Sequence, residues 1–249
     1  MKKPLIWKTF RAIVFLASVL AFAPPGAASE DKLSEPGWLV DYIDRVPPIL
    51  MKEPFLELLG QTHQPVPYIY REAVKLTGHS CAAVAGAWAM TRKALEALYP
   101  EALPVRGQIK AMMPGSEDEW YIGVFGQVIT YLTGAAPRTG FPGAEFGQAF
   151  NRRNLMVYRD KPAGTLPPKM VWVFERIDTG ERVGVSYDLG KVKPPLTAEE
   201  GRMGTKMANG QATPEEAKIW RENWNARARF VLEQADLTPG LFTVQKLGH

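Results

Sequence analysis

Apolar side chains recur at helical spacing in three long segments of the chain. The first segment, residues 79–99, is so rich in alanine that neighbouring backbone can approach it closely. The second, residues 120–132, is followed by Gly134, a favoured residue for a left-handed helix cap. The third begins at Thr213 and Pro214, a favourable start for a helix, and continues to about Gln234. These three segments predict the main helices.

Alternating apolar and polar positions predict the strands. Residues 105–113 and 154–159 each predict one strand. Residues 170–175 and 182–187 flank an Asp-Thr-Gly turn, which is a strong hairpin signal, and residues 241–244 predict a last edge strand. Together the segments predict an α+β fold, in which a mixed or antiparallel sheet packs against small-residue helices and a C-terminal helix is added.

The pattern divides the chain into four parts. They are a signal peptide (residues 1–29), an N-terminal extension (30–67), an α+β domain (68–190) and a C-terminal part (191–249) whose amphipathic helix packs on the domain. We expect one short amphipathic helix at residues 49–59 of the extension and a polar connector at residues 191–209.

The N-terminus has the three regions of a secretory signal peptide. A basic segment precedes the short apolar run at residues 12–23, and small residues at 27–29 supply a cleavage site. We therefore expect export to a bacterial periplasm and no membrane contact after cleavage; an uncleaved anchor is the alternative. Four of the 30 basic residues and none of the 26 acidic ones lie in this segment. The remaining chain is close to neutral, which argues against a nucleic-acid partner.

His79 and Cys81 are the strongest candidates for chemistry, because an imidazole and the only cysteine lie together where the alanine-rich helix begins. We expect the free N–H groups and the dipole of the helix to favour the thiolate of Cys81. A single cysteine cannot form a disulfide within the chain. It can be a buried thiol, a metal ligand, a reactive group or an intermolecular partner, so a homodimer stays open.

Three short motifs resemble one known family. Gly78-His79-Ser80-Cys81 with its alanine-rich helix is similar to the Gly-His-x-Cys-Pro start of FmdE-like domains, named for the E subunit of formylmethanofuran dehydrogenase. Leu132-Thr133-Gly134 resembles the Leu-Thr-Gly-Cys-Thr motif of that family, and Asn154-Leu155 before a strand resembles its Gly-Asn-Leu continuation. The resemblance covers roughly residues 70–190.

The resemblance implies an α+β domain that holds a metal, commonly zinc, near the His-x-Cys motif. The chain departs from the family pattern at three positions: Ala82 replaces the proline, Ala135 the second motif cysteine and Ala136 its threonine. A site of the family type would keep His79 and Cys81 and need other ligands. The replacement candidates are His63, Asp118, Glu119 and Glu145. The alternative is that His63, Asp118 and Glu119 are solvated loop residues and not metal ligands.

Three functional hypotheses follow. The first is an exported FmdE-like protein that binds a transition metal, most simply zinc, through His79 and Cys81, with a small molecule or metal complex as partner. The second is a thiol-dependent enzyme with Cys81 as nucleophile and His79 as base. The third is a non-catalytic binding module that uses the glycine-rich loop at residues 140–147 and the surface of Trp220 and Trp224. The structural alternative is a buried cysteine at a tight helix junction beside a histidine that hydrogen-bonds a carbonyl. Whether the site is catalytic stays open.

Overall fold

The computed structural model describes residues 37–143, 150–159 and 170–248. The chain falls into two compact units, Met1–Leu39 and Val40–His249, and every element named below belongs to the second. The predicted signal peptide and Glu145 lie outside the described residues. Within those residues, no helix has both the length and the apolar character needed to cross a bilayer.

Seven helices and seven strands make up the described part of this unit. The helices are α1 (Tyr42–Arg45), α2 (Pro54–Leu58), α3 (Tyr70–Thr77), α4 (Ala82–Leu98), α5 (Trp120–Thr133), α6 (Ala198–Ala208) and α7 (Pro214–Gln234). The strands are β1 (Ile49–Met51), β2 (Val66–Tyr68), β3 (Ile109–Met112), β4 (Met156–Val157), β5 (Val171–Arg176), β6 (Arg182–Tyr187) and β7 (Phe242–Leu247).

The main sheet has five strands in the order β4-β3-β5-β6-β7. Only β3 and β4 run parallel, with Ala111 opposite Met156, and the other three pairs are antiparallel. The predicted hairpin is β5-β6, with Phe174 opposite Val183. Strands β1 and β2 form a separate antiparallel pair. The predicted α+β class with a mixed sheet is confirmed.

Helix α4 lies at the centre of the unit, because the sheet, α5 and α7 all pack against it. Small side chains let these neighbours come close. A β-carbon at Gly86 would lie 2.3 Å from Cε1 of Tyr187 on β6, so only glycine fits there. On the neighbouring helix, the Phe125 ring stacks on Trp172 of β5 with centroids 4.6 Å apart. These contacts hold α4 and α5 against the main sheet.

Two sequence predictions of secondary structure were wrong. Residues 49–59 do not form one helix, because β1 pairs with β2 and Pro54 then starts the short helix α2. Proline lacks an N–H and is favoured in the first helical turn, so it separates the two elements. The predicted polar connector contains α6, whose cap residue Thr197 accepts a hydrogen bond from the Glu200 N–H at 3.1 Å.

Candidate functional site

The sequence predicted that the His-Ser-Cys triplet lies in the first turn of the alanine-rich helix. In the structure the triplet lies before α4, which begins at Ala82. Helix α3 ends at Gly78, whose φ of 73° is in the left-handed region. The chain is then extended at Cys81, with φ −151° and ψ 176°, and α4 begins at Ala82. Side chains two residues apart on an extended backbone point to the same side. The Ser80 hydroxyl faces the hydroxyls of Tyr42 and Tyr70, whereas His79 and Cys81 both line the cavity described below.

Ser80 anchors this junction to three helices. The Trp224 indole N–H of α7 donates to the Ser80 carbonyl at 2.8 Å. The Tyr70 hydroxyl of α3 lies 2.8 Å from Ser80 Oγ, and the Tyr42 hydroxyl of α1 lies 3.1 Å from the same oxygen. These bonds fix the backbone on either side of Ser80, and so they fix the positions of His79 and Cys81.

His79 and Cys81 line the same cavity, which has a volume of about 390 Å³ and mainly apolar walls. Helices α4, α5 and α7 and the segment before α6 form the walls. The wall residues are Ala82, Ala83, Tyr121, Val124, Phe125, Leu189, Val192, Pro194, Leu196, Trp224 and Arg227. The structure brings these two side chains to one cavity, and their role as a functional site stays a prediction.

The His79 ring is exposed at the cavity, and a backbone carbonyl selects the tautomer of the neutral ring. Its Nδ1 lies 3.0 Å from the Thr77 carbonyl oxygen. A carbonyl only accepts hydrogen bonds, so Nδ1 carries the hydrogen and Nε2 of the neutral ring keeps a free lone pair. The ring centroid is 6.4 Å from that of Trp224. His79 can therefore accept a hydrogen bond or bind a metal through Nε2.

Burial controls the acidity of Cys81, in the opposite direction to the prediction from the sequence. Burial raises the pKa of the half-buried thiol, and the nearby N–H groups of Ala83 and Val84 only partly offset it. The sulfur makes no capping hydrogen bond with the first turn of α4. Although both residues are described, no hydrogen bond joins Cys81 to His79, so the geometry gives no support to a thiolate activated by that imidazole.

The other candidate ligands that the structure describes, His63, Asp118 and Glu119, do not gather around this pair. His63 is exposed in the loop before β2. Asp118 accepts a hydrogen bond from Ser116 Oγ at 2.6 Å, and Glu119 accepts one from the Ser116 N–H at 2.9 Å. Across the described part of the chain, no three His, Cys, Asp or Glu side chains lie close enough together to hold a metal ion. Two donors do not complete the set of a zinc site built by protein alone.

Arg227 is a cavity residue that the sequence analysis missed. Its side chain is 9% exposed and pairs with the buried Glu200 of α6. Its Nη1 has no hydrogen-bond partner among the described residues. A signal was present in the sequence, because Arg227 lies three and seven residues after Trp224 and Trp220 on the apolar stripe of α7. A charged residue on such a stripe is rarely buried without a partner.

The aromatic surface proposed for α7 is packed against its neighbours. The rings of Trp220 and Trp224 stack with centroids 4.7 Å apart, and both side chains are half-buried. A β-carbon at Gly204 of α6 would lie 2.9 Å from the Trp220 indole nitrogen. Trp224 therefore contributes to the site as a cavity wall, while Trp220 holds α6 against α7.

Two comparisons with known proteins found no match to this chain. No protein-family model matches the chain, and no curated protein matches it.

Proposed function

We propose that this chain is an exported, FmdE-like protein that binds a small, mainly apolar organic molecule in the cavity of His79 and Cys81. The observation that carries the proposal is the cavity itself. Its volume of about 390 Å³ lies in the range of small-molecule sites, which are typically about 300–1,000 Å³ and mainly apolar with a few polar groups.

The polar groups of the cavity define how a ligand is held. His79 Nε2 accepts a hydrogen bond, the protonated Cys81 thiol fills space as a small apolar group, and Arg227 Nη1 offers a donor. Trp224 and Tyr121 supply flat walls. A ligand with an apolar body and one hydrogen-bonding group satisfies this set.

Ala83 offers a direct test, because its small side chain lines the cavity and a larger one would fill it. We expect the neutral dye N-phenyl-1-naphthylamine to bind the wild-type protein with increased fluorescence. Ala83→Phe fills the cavity and should weaken binding at least about tenfold, a loss of about 1.4 kcal/mol. Ala97→Phe is the matched control, because Ala97 is also half-buried on α4 but does not line the cavity. Equal binding by the Ala83→Phe variant would contradict the proposal.

A transition metal held by His79 and Cys81 is a second candidate function. The hydrogen bond from Nδ1 to the Thr77 carbonyl favours it, since metal-binding histidines commonly donate their other N–H to a carbonyl. The described residues supply only two donors, so this candidate requires a metal complex whose own ligand completes the coordination.

Elemental analysis of protein purified from the periplasm tests this candidate. We expect about one zinc per chain, lost in Cys81→Ala and in His79→Gln because each removes one of two donors. His63→Gln is the control, because His63 is exposed and does not line the cavity. Substoichiometric metal in the wild-type protein, or full retention in Cys81→Ala, would exclude His79 and Cys81 as the ligands.

A further inference from the structure

A second cavity, of about 520 Å³, shares no wall residue with the first. It lies where α2, β2 and the end of α5 meet the segment before β4. Charged side chains line one part of it and aromatic side chains another. The charged residues are Glu53, Arg106 and Arg152, and the aromatic ones are Phe55, Tyr68 and Phe141.

The charged group carries one more positive than negative charge. Glu53 is 2% exposed, and its two carboxylate oxygens accept hydrogen bonds from two arginines. Arg106 Nη1 donates to Oε1 at 3.0 Å, and Arg152 Nη2 donates to Oε2 at 3.1 Å. The Tyr68 hydroxyl also donates to Oε1. Both carboxylate oxygens thus accept hydrogen bonds, and their single negative charge neutralises only one of the two guanidinium groups.

Arg152 pairs with Glu53 through Nη2 but keeps one guanidinium nitrogen without a partner among the described residues. Its side chain is 10% exposed, and its Nη1 has no hydrogen-bond partner among the described residues. Arg106, by contrast, uses its other nitrogens on the carbonyls of Tyr131 and Thr130 at 3.2 and 3.4 Å. Burial lowers the pKa of Arg152, and the neighbouring Arg106 lowers it further. An unpaired buried donor on a cation is costly, and an anion removes that cost.

Gly134 keeps space for this guanidinium. It is the left-handed cap of α5, with φ 74°, and a β-carbon there would lie 2.1 Å from Arg152 Nη1. The absence of a side chain therefore lets Arg152 lie against the helix end beside the cavity. The left-handed φ and the close approach both require glycine at this position.

Aromatic rings form the apolar part of the cavity. The rings of Phe55 and Phe141 stack with centroids 5.8 Å apart, and the Arg106 guanidinium lies 5.1 Å from the Tyr68 ring centroid. Flat apolar walls next to a surplus cation fit a ligand with a ring and one negative charge.

We propose that the second cavity binds a small aromatic carboxylate, with its carboxylate at the Arg152 guanidinium and its ring against the aromatic wall that Phe141 forms. This inference does not depend on the function proposed for the first cavity, because the two cavities share no wall residue. A purely structural role for the arginines predicts no carboxylate binding at all.

Benzoate is the probe, and benzyl alcohol is its uncharged analogue. We expect benzoate to bind the full-length protein in calorimetry and to raise its unfolding temperature, while benzyl alcohol binds at least about tenfold more weakly. That factor corresponds to one charge-assisted hydrogen bond. Equal binding of the two compounds would overturn the proposal, and inorganic phosphate bound as tightly as benzoate would overturn the aromatic part of it.

Removing a positive or a negative charge from the cavity should change the affinity for benzoate in opposite directions. Arg152→Gln should weaken benzoate binding at least about tenfold, because it removes the surplus cation. Glu53→Gln frees a second guanidinium, so benzoate should bind more tightly and stabilise this variant more than the wild-type protein. A structural role alone moves neither affinity. If both variants bind benzoate as the wild-type protein does, the carboxylate is not at Arg152.

A variant that leaves the charges intact covers the case in which the charge variants do not fold. Leu56→Trp narrows the cavity and should abolish benzoate binding, because Leu56 lines it. Leu58→Trp on the same helix is the matched control, since Leu58 is 57% exposed and does not line the cavity. Unchanged benzoate binding in Leu56→Trp would overturn the proposal.

The same variants separate this proposal from the one for the first cavity. Leu56→Trp should keep dye binding in the first cavity, and Ala83→Phe should keep benzoate binding in the second.

Discussion

At Cys81, the local helix start and the surrounding tertiary structure shift the thiol pKa in opposite directions. Its position at the start of α4 favours the thiolate through the N–H groups of Ala83 and Val84, as the sequence suggested. Desolvation by the surrounding walls is the larger effect, and it raises the pKa. The sequence shows the helix start but not the depth of burial, so it predicted the direction of the smaller effect.

Alkylation of Cys81 tests this balance. Because the folded pKa is raised above the ordinary thiol value of about 8.5, the thiol is protonated at pH 7.5. We expect iodoacetamide to react at least about tenfold more slowly than with the same protein unfolded in urea, and the rate to keep rising with pH after the rate for the unfolded protein has levelled off. Mass spectrometry follows the reaction. Equal rates for folded and unfolded protein at pH 7.5 would contradict the raised pKa.

The charged side chains of the two cavities show what a sequence does not reveal at the residue scale. His79 and Cys81 were predictable, because two chemically distinctive residues are neighbours in the chain. Glu53 and Arg152 are 99 positions apart, and neither belongs to a motif. Lone arginines are usually solvated, so only the fold shows that Arg152 is buried. The burial of Arg227 had a signal in the apolar stripe of α7, but its partner Glu200 did not.

At the scale of elements, strong periodicity gave reliable predictions. The alanine-rich segment, the segment ending at Gly134 and the segment capped by Thr213 are α4, α5 and α7. Thr213 and Glu216 form a complete capping box, which explains the clear start of α7. The short elements were missed or merged, since three-residue strands such as β1 depend on pairing with β2 and carry almost no periodic signal of their own.

Two glycines in helices predict opposite effects of the same substitution. Gly86→Ala in α4 should destabilise the protein by about 1–3 kcal/mol, because the new methyl group meets the Tyr187 ring. Gly201→Ala in α6 has nothing within 4 Å of the new carbon and should stabilise it by about 0.5–1 kcal/mol through helix propensity. Urea unfolding gives both free energies. A Gly86→Ala variant as stable as Gly201→Ala would show that Tyr187 moves aside freely.

At the scale of the whole molecule, the class of fold was predictable and the connections were not. Alternation predicted the strands β3 to β7, but the order β4-β3-β5-β6-β7 and the single parallel pair follow from tertiary packing. The C-terminal strand β7 pairs with β6 along its whole length, from Phe242 opposite Tyr187 to Leu247 opposite Arg182. The segment after residue 191 thus contributes to the main sheet as well as supplying the helix that packs on α4.

Helix α5 contributes walls to both cavities. Tyr121 and Val124 near its start face the first, and Thr130 and its cap Gly134 face the second. A ligand that moved this helix along its axis at one end would therefore change the shape of the space at the other end. Thermodynamic linkage would then make the influence mutual: each ligand would alter the affinity for the other by the same factor.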